Sequence, residues 1–464
     1  MADSDKKRRR KRWIICGIIV AVLVAAYAGF RLYPRWQEGR CLAKLRAAGY
    51  PVTLDELDAW YEDVPPGENA ALLILKAADL RVDGPPGATS VLFFSAERDL
   101  RFPTPGLPLP AKVLADTSAF VTANSPALTL LHRAASLKRG QVPADPGNTL
   151  GQNRRAVRSM NSAKLLCLEA MVNAETSRPA EAVQSFCAMM ALARHCSSEP
   201  TWSGSLALSG CVSISRSGFE RVLSRCTPDD AQLRSLLDAV DAAVHPDCLS
   251  RELVGEFCQS LSDYASPVRY FSEECHDKGV VFSAMVTALS LSGRFDRDRL
   301  YFVQRMNELI PACKQPLPAR LRAVEQIKQR VRQDMTKVGG RLGGSLNPAD
   351  PYPFSGAELD RCWAMVRMDV ENIELLSAMR AALVIERFRL KSGRLPDKLV
   401  ELAPEFVVAA PEDPFDGQPI RYKKLARGYV VYSVGANGQD DGGSSKPDIE
   451  TGAQYLDICV TVER

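Results

Sequence analysis

Near the start of the chain the apolar positions form one continuous run rather than a stripe. Residues 13–30 (WIICGIIVAVLVAAYAGF) carry no charge and place Trp13 and Tyr27 near the two ends. A helix of that length rises ~27 Å, close to the hydrocarbon thickness of a bilayer. The pattern predicts a transmembrane helix over residues 13–33, preceded by a tail over residues 1–12. Clustered Lys and Arg stay on the cytoplasmic side and aromatic side chains favour the interfaces. The run Lys6, Lys7, Arg8, Arg9, Arg10, Lys11 and Arg12 therefore predicts a cytoplasmic tail, a bacterial inner-membrane anchor and an extracytoplasmic body. A cleaved signal peptide is the alternative, because Ala26-Tyr27-Ala28 supplies small residues after an apolar core. Both readings export the body.

Beyond the run the apolar positions recur at helical spacing. Residues 35–78 read as helix with a break at Pro65-Pro66-Gly67, and residues 82–110 as a Pro- and Gly-rich surface excursion whose Leu92-Phe93-Phe94 tucks into a groove. One helix is expected over residues 111–137 and a polar loop over 140–154. Residues 155–310 read as successive amphipathic helices divided at Ser177-Arg178-Pro179, Ser198-Glu199-Pro200, Thr227-Pro228-Asp229 and His245-Pro246-Asp247. Thr227 and Asp229 are good N-cap residues. No fixed period recurs, so the array is not assigned to a repeat family. The expected organisation is a helical extracytoplasmic domain over residues 34–340, a Gly-rich linker over 341–364 and a small α+β lobe over 365–464.

In that last part a strong helix is expected over residues 365–391, with Met368, Leu375, Met379, Ala382, Leu383 and Leu390 on one stripe and Glu386 as its exception. A double turn at PEDPFDG follows, then two strands over residues 418–423 and 428–434 joined as a hairpin. Residues 435–443 form an acidic loop, and the alternation of Leu456, Ile458, Val460 and Val462 predicts a closing strand.

Composition narrows the classes. The N-terminal basic run accounts for more than the whole net charge of +4, so the body is near neutral and lacks the basic footprint of a nucleic-acid binder. There are 13 cysteines. Some are able to pair in an oxidising compartment, but Cys167, Cys187, Cys211 and Cys258 sit among apolar residues on helical stretches and read as buried free thiols. The spacings suggest no zinc site.

Catalytic constellations are sparse. His195-Cys196 and Cys275-His276 are adjacent residues, which point ~100° apart on a helix and do not face each other. Ser203-Gly204-Ser205 and Ser209-Gly210-Cys211 resemble nucleophile-elbow fragments, yet no strand precedes them. Asp55-Glu56 and Asp229-Asp230 fall at expected helix starts, where they complement the dipole. No phosphate loop, HExxH or dinucleotide fingerprint occurs. The chain reads as a non-enzymatic scaffold with a protein partner. A hydrolase with a site assembled around His195 or His276 is the runner-up.

The order of a long helix, SGRLPDKLVELAP, DPFDGQPIRY and YSVGANGQDDGG resembles the C-terminal part of the major pseudopilin of bacterial type II secretion systems, over about 100 of the 464 residues. Asp413-Pro414-Phe415 with Gly417 and Pro419, and Tyr432-Ser433-Val434-Gly435, carry the resemblance. It implies a structural calcium ion on Asn437, Asp440, Asp441 and Asp448, a kind of oxygen-rich loop that suits calcium. It does not extend to the N-terminus, because the pseudopilin leader glycine and the early glutamate of the mature helix are absent around residues 13–30. The whole chain is similar to bacterial membrane-anchored envelope proteins, with direct participation in a secretion apparatus as a third reading.

Overall fold

The computed structural model describes residues 2–61, 63–82, 90–94, 104–141, 149–245, 247–274, 279–337, 352–407, 411–435, 438–443 and 457–464. Its helices are α1 (Ala2–Ala47), α2 (Leu54–Trp60), α3 (Ala70–Leu80), α4 (Ala111–Ala123), α5 (Ser125–Ser136), α6 (Thr149–Glu175), α7 (Pro179–Cys196), α8 (Trp202–Arg225), α9 (Asp230–Asp241), α10 (Cys248–Tyr264), α11 (Pro267–Glu274), α12 (Val280–Leu291), α13 (Arg294–Cys313), α14 (Ala319–Lys337) and α15 (Pro353–Ser392). Strands β1 (Arg421–Leu425), β2 (Gly428–Ser433) and β3 (Ile458–Val462) form one antiparallel sheet in the order β1-β2-β3. The molecule is mainly helical with a small C-terminal sheet. The chain divides into two compact units, one of Met1–Trp60, Phe257–Ala312 and Val324–Cys362, the other of Tyr61–Glu256, Cys313–Ala323 and Trp363–Arg464.

The first unit has an aromatic core. The ring of Phe354 lies 4.4 Å from Tyr264, 4.5 Å from Tyr270 and 4.8 Å from Phe271, centroid to centroid. Buried carboxyls tie this core to the start of α15. Asp298 accepts from the backbone N–H of Phe354 at 2.9 Å and of Ser355 at 3.1 Å, filling two of the donors that a helix N-terminus leaves open. Glu358 accepts from Tyr270 Oη and Ser260 Oγ, both at 2.7 Å. Burial pushes the Asp298 carboxyl up to about 7, while the Ser355 hydroxyl and the two amides hold it down.

In the second unit the core is built from α6, α7 and α8, with the ring of Phe186 tilted 47° to that of Phe219 at 5.3 Å. The expected breaks between α6 and α10 are all present. Asp229 caps α9 in a reciprocal box with Gln232, accepting from its N–H at 2.8 Å. Gly255 lets α10 pass the α7–α8 corner, since a Cβ there would lie 1.7 Å from the Pro200 carbonyl oxygen. The tuck of Leu92 is present: its side chain is buried, and Phe94 lies 5.2 Å from Phe120.

Three element boundaries differ from the sequence reading. The helix expected over residues 111–137 is broken at Asn124, where Ser125-Pro126 starts a new helix and the Asn124 side chain turns back to bond Val82 and Phe120. α6 begins at Thr149, inside the stretch expected as loop. α15 begins at Pro353, well before residue 365, because Asp298 stabilises its first turn from a distant part of the chain. Along α15, Met379, Ala381, Ala382, Leu383, Val384 and Ile385 are all buried, a wider apolar arc than a single stripe, and Arg380 is left exposed. Leu390, placed on the stripe by spacing, is exposed.

The hairpin pairs Tyr422 with Val431 and Leu425 with Gly428. Gly428 has φ +109°, and a Cβ there would meet the Val462 carbonyl at 1.9 Å. β3 docks on α8 through Thr461 N–H to Glu220 at 3.0 Å and Glu463 N–H to Ser224 Oγ at 3.1 Å. Glu386, the polar exception on α15, is buried at 1% exposure and accepts from Arg389, from Tyr429 Oη and from Arg464 at 2.6 Å.

Candidate functional site

The turn at PEDPFDG and the end of β2 are joined by one buried carboxylate. Asp413 accepts from Phe415 N–H at 3.0 Å, Val434 N–H at 3.0 Å, Ser433 Oγ at 2.9 Å and Arg421 Nη1 at 2.7 Å. Ser433 Oγ also lies 3.3 Å from Glu374 Oε1 on α15. One hydroxyl proton cannot serve both carboxyls. Burial first, and the charge of Asp413 second, push the Glu374 carboxyl up to about 9. Protonated Glu374 then donates to Ser433, which donates to Asp413. This relay fixes the base of the acidic loop.

In that loop Asp440 Oδ1 accepts from Tyr432 Oη at 3.1 Å and Gly442 N–H at 2.9 Å. Asp457 accepts from Asp441 N–H at 3.3 Å and Gly443 N–H at 2.7 Å. Burial raises the Asp457 carboxyl above its usual range, with the charges of Asp441 and Asp440 adding to the effect. Gly435, Gly438, Gly442 and Gly443 all have φ between +64° and +78°, the left-handed region that lets consecutive amides turn inward. Asp440 and Asp441 are thus brought together with Asp457, which the sequence reading missed. Its only local signal was a carboxylate directly before an alternating strand. Asn437 and Asp448 lie outside the described residues. Among the described residues no group of three or more His, Cys, Asp or Glu side chains is arranged to hold a metal ion. The carboxylates of Asp440, Asp441 and Asp457 are the described oxygen donors that a calcium ion would use here.

In the helical part of the second unit, His195 on α7 is buried and burial lowers its imidazole to about 4, with the Arg194 charge acting in the same direction. Among the described residues its Nε2 has no hydrogen-bond partner, and no carboxylate orients it as a general base would require. Ser203-Gly204-Ser205 and Ser209-Gly210-Cys211 both lie inside α8, so neither forms a strand-to-helix elbow. Cys275-His276 lies outside the described residues. Cys167, Cys211 and Cys258 are buried free thiols, as their apolar neighbours led us to expect, whereas Cys187 is only half-buried.

A group that the sequence did not single out is Glu252 on α10. It is buried, with Cys248 Sγ 3.2 Å from its Oε1. Burial pushes its carboxyl up to about 8, and the charges of Asp369 and Glu199 add to that, while Ser205 and Cys248 act oppositely. Burial likewise drives the Cys248 thiol well above its ordinary range. A nucleophilic cysteine needs the reverse, a thiolate favoured by nearby positive charge. The cluster is a buried polar core rather than an activated thiol.

The remaining feature is α1. Ile14, Ile15, Ile18, Ile19, Val20, Val22 and Val24 are each between 52% and 61% exposed. Consecutive positions point in all directions around a helix, so this run is uncovered on every side. Among the described residues it is the one helix long and apolar enough to cross a membrane. Comparison with protein-family models, curated proteins and solved structures finds no match to this chain.

Proposed function

We propose that the chain is a single-pass, membrane-anchored scaffold or protein-interaction protein of the bacterial cell envelope, with its N-terminus in the cytoplasm and its body outside. The observation that carries this reading is the uncovered apolar run of α1, directly after a basic tail and continuous with a folded helical body. Apolar surface of that extent on a soluble protein requires a cover, and a bilayer is the cover that its length fits. Binding rather than catalysis is favoured because the perturbed carboxyls and thiols named above are engaged in buried polar contacts. The C-terminal segment is read as a pseudopilin-like lobe beside a secretion apparatus; a long helix followed by an antiparallel sheet supports it. The same reading places a structural calcium ion on Asn437, Asp440, Asp441 and Asp448.

Alkaline carbonate extraction of membranes tests the anchor. Wild-type protein is expected to stay in the membrane pellet. Val22→Arg places a charge mid-span at a cost of roughly 2.5 to 3.5 kcal/mol and is expected to shift the protein to the supernatant. Wild-type protein that is itself extracted, with Gly29 as its first residue, would contradict the anchor.

A further inference from the structure

The helix α12 carries an outward face that water does not explain. Its twelve residues, VVFSAMVTALSL, include no charged side chain. Val286 faces inward and is fully buried, but Val281, Ala284, Met285, Ala288 and Leu291 recur at helical spacing on the exposed side. Val280 is 86% exposed, Val281 85% and Leu291 67%. A surface helix of a soluble body turns mainly polar residues outward, and on this one Thr287 alone is polar among the exposed residues.

Within the same compact unit, α12 is fastened to the far end of the apolar run of α1. Tyr27 Oη donates to the Leu291 carbonyl at 3.2 Å, and Arg31 Nη1 donates to the Leu291 carbonyl at 2.7 Å and the Ser290 carbonyl at 3.2 Å. Arg31 thereby caps the carbonyl end of α12 with a cation. Its charge is balanced by Asp296 at 3.2 Å, which also meets Arg35 at 3.4 Å. Arg297 lies 4.2 Å over the Phe30 ring. Gly293, with φ +78°, permits the corner between α12 and α13, since a Cβ would come within 2.7 Å of the Arg31 side chain.

Depth follows from length. Counting from Trp13 at the inner edge, Arg31 lies ~27 Å along the helix, at the outer edge of a hydrocarbon core ~30 Å thick. The exposed aromatic residues Tyr27, Tyr33 and Trp36 occupy the same band, as side chains of an interface do. α12 is ~18 Å long, too short to span. Resting on the reading of α1 as a membrane span, we infer that α12 is a second membrane contact: its Val281, Met285 and Leu291 face lies in the acyl-chain boundary of the outer leaflet, beside the point where α1 leaves the bilayer. Such a helix would hold the body against the membrane surface and restrict its swing about α1.

Full-length protein reconstituted in phosphatidylcholine and phosphatidylglycerol vesicles, with a lipid bearing a diazirine in its acyl chain, tests this. After irradiation, lipid adducts are mapped by mass spectrometry. Adducts are expected on residues 13–30 and on residues 280–291. The variant carrying Val281→Asp, Met285→Asp and Leu291→Asp, all exposed positions, should lose adducts on 280–291 roughly tenfold while keeping those on 13–30. Unchanged helical circular dichroism verifies that the variant is folded. Adducts on 13–30 alone in the wild type would overturn the role of α12 and leave the anchor standing. Adducts on neither segment would overturn the anchor as well. Cross-links from 280–291 to a second copy of the chain in place of lipid would also overturn the inference.

Discussion

Glu252 gives the residue scale its sharpest consequence. Its carboxyl stands at about 8 in the folded protein, against an ordinary value of 4.5, chiefly because it is buried. Between those two values the folded chain holds a proton that the unfolded chain has released. Its contribution to stability is full below pH 4.5 and is lost as the pH rises to about 8, with a limiting slope of ~1.4 kcal/mol per pH unit. Glu252→Gln cannot ionise, so urea unfolding between pH 5.5 and 7.5 is expected to show a shallower loss of stability in the variant than in the wild type. Equal slopes would mean that Glu252 is already ionised in the folded protein. Asp298 and Glu220, both pushed up to about 7, act with the same sign, whereas His195, lowered to about 4, acts with the opposite sign between about pH 4 and 6.5. None of these acids was legible as buried. A single Glu on a helix of mixed composition looks like part of a solvated face, and only the partners arriving from distant segments, such as Ser260 and Tyr270 at Glu358, reveal otherwise.

Among the elements, the acidic loop carries the most direct ligand test. If calcium binds the loop in the folded state alone, a concentration 100 times its Kd stabilises the protein by about 2.7 kcal/mol. The full-length detergent-solubilised chain should then melt higher in calcium than in chelator. Asp440→Asn with Asp441→Asn keeps an oxygen able to accept from Tyr432 and Gly442 but removes both charges, and is expected to abolish the difference. Wild-type melting that is identical in calcium and chelator would remove the ion from the account. Much at this scale was readable. The breaks around α7 to α10 announced themselves through Pro and N-cap residues, and GYVVYS through β-branched and aromatic side chains before a glycine-rich loop. What escaped was set by long-range partners. Asn124 ends a helix because it bonds Val82, α15 starts early because Asp298 caps it, and Asp457 joins Asp440 and Asp441 only once β3 pairs with β2.

For the whole molecule, the arrangement of charge and apolar surface is the governing fact. Seven basic residues precede an uncharged run whose side chains are uncovered, and the chain then enters two units with cores of their own. That pattern was visible in the sequence because a membrane span is written locally, in consecutive residues, whereas a soluble core is assembled from residues far apart. If one span separates the basic tail from the body, protease accessibility reads it directly. Spheroplasts with an intact inner membrane, expressing the full chain with an N-terminal epitope, are treated with protease from outside. The body is expected to be degraded and a short epitope-bearing fragment, the tail and span, to survive inside. A body that stays full length while a known outward-facing control is digested would contradict it.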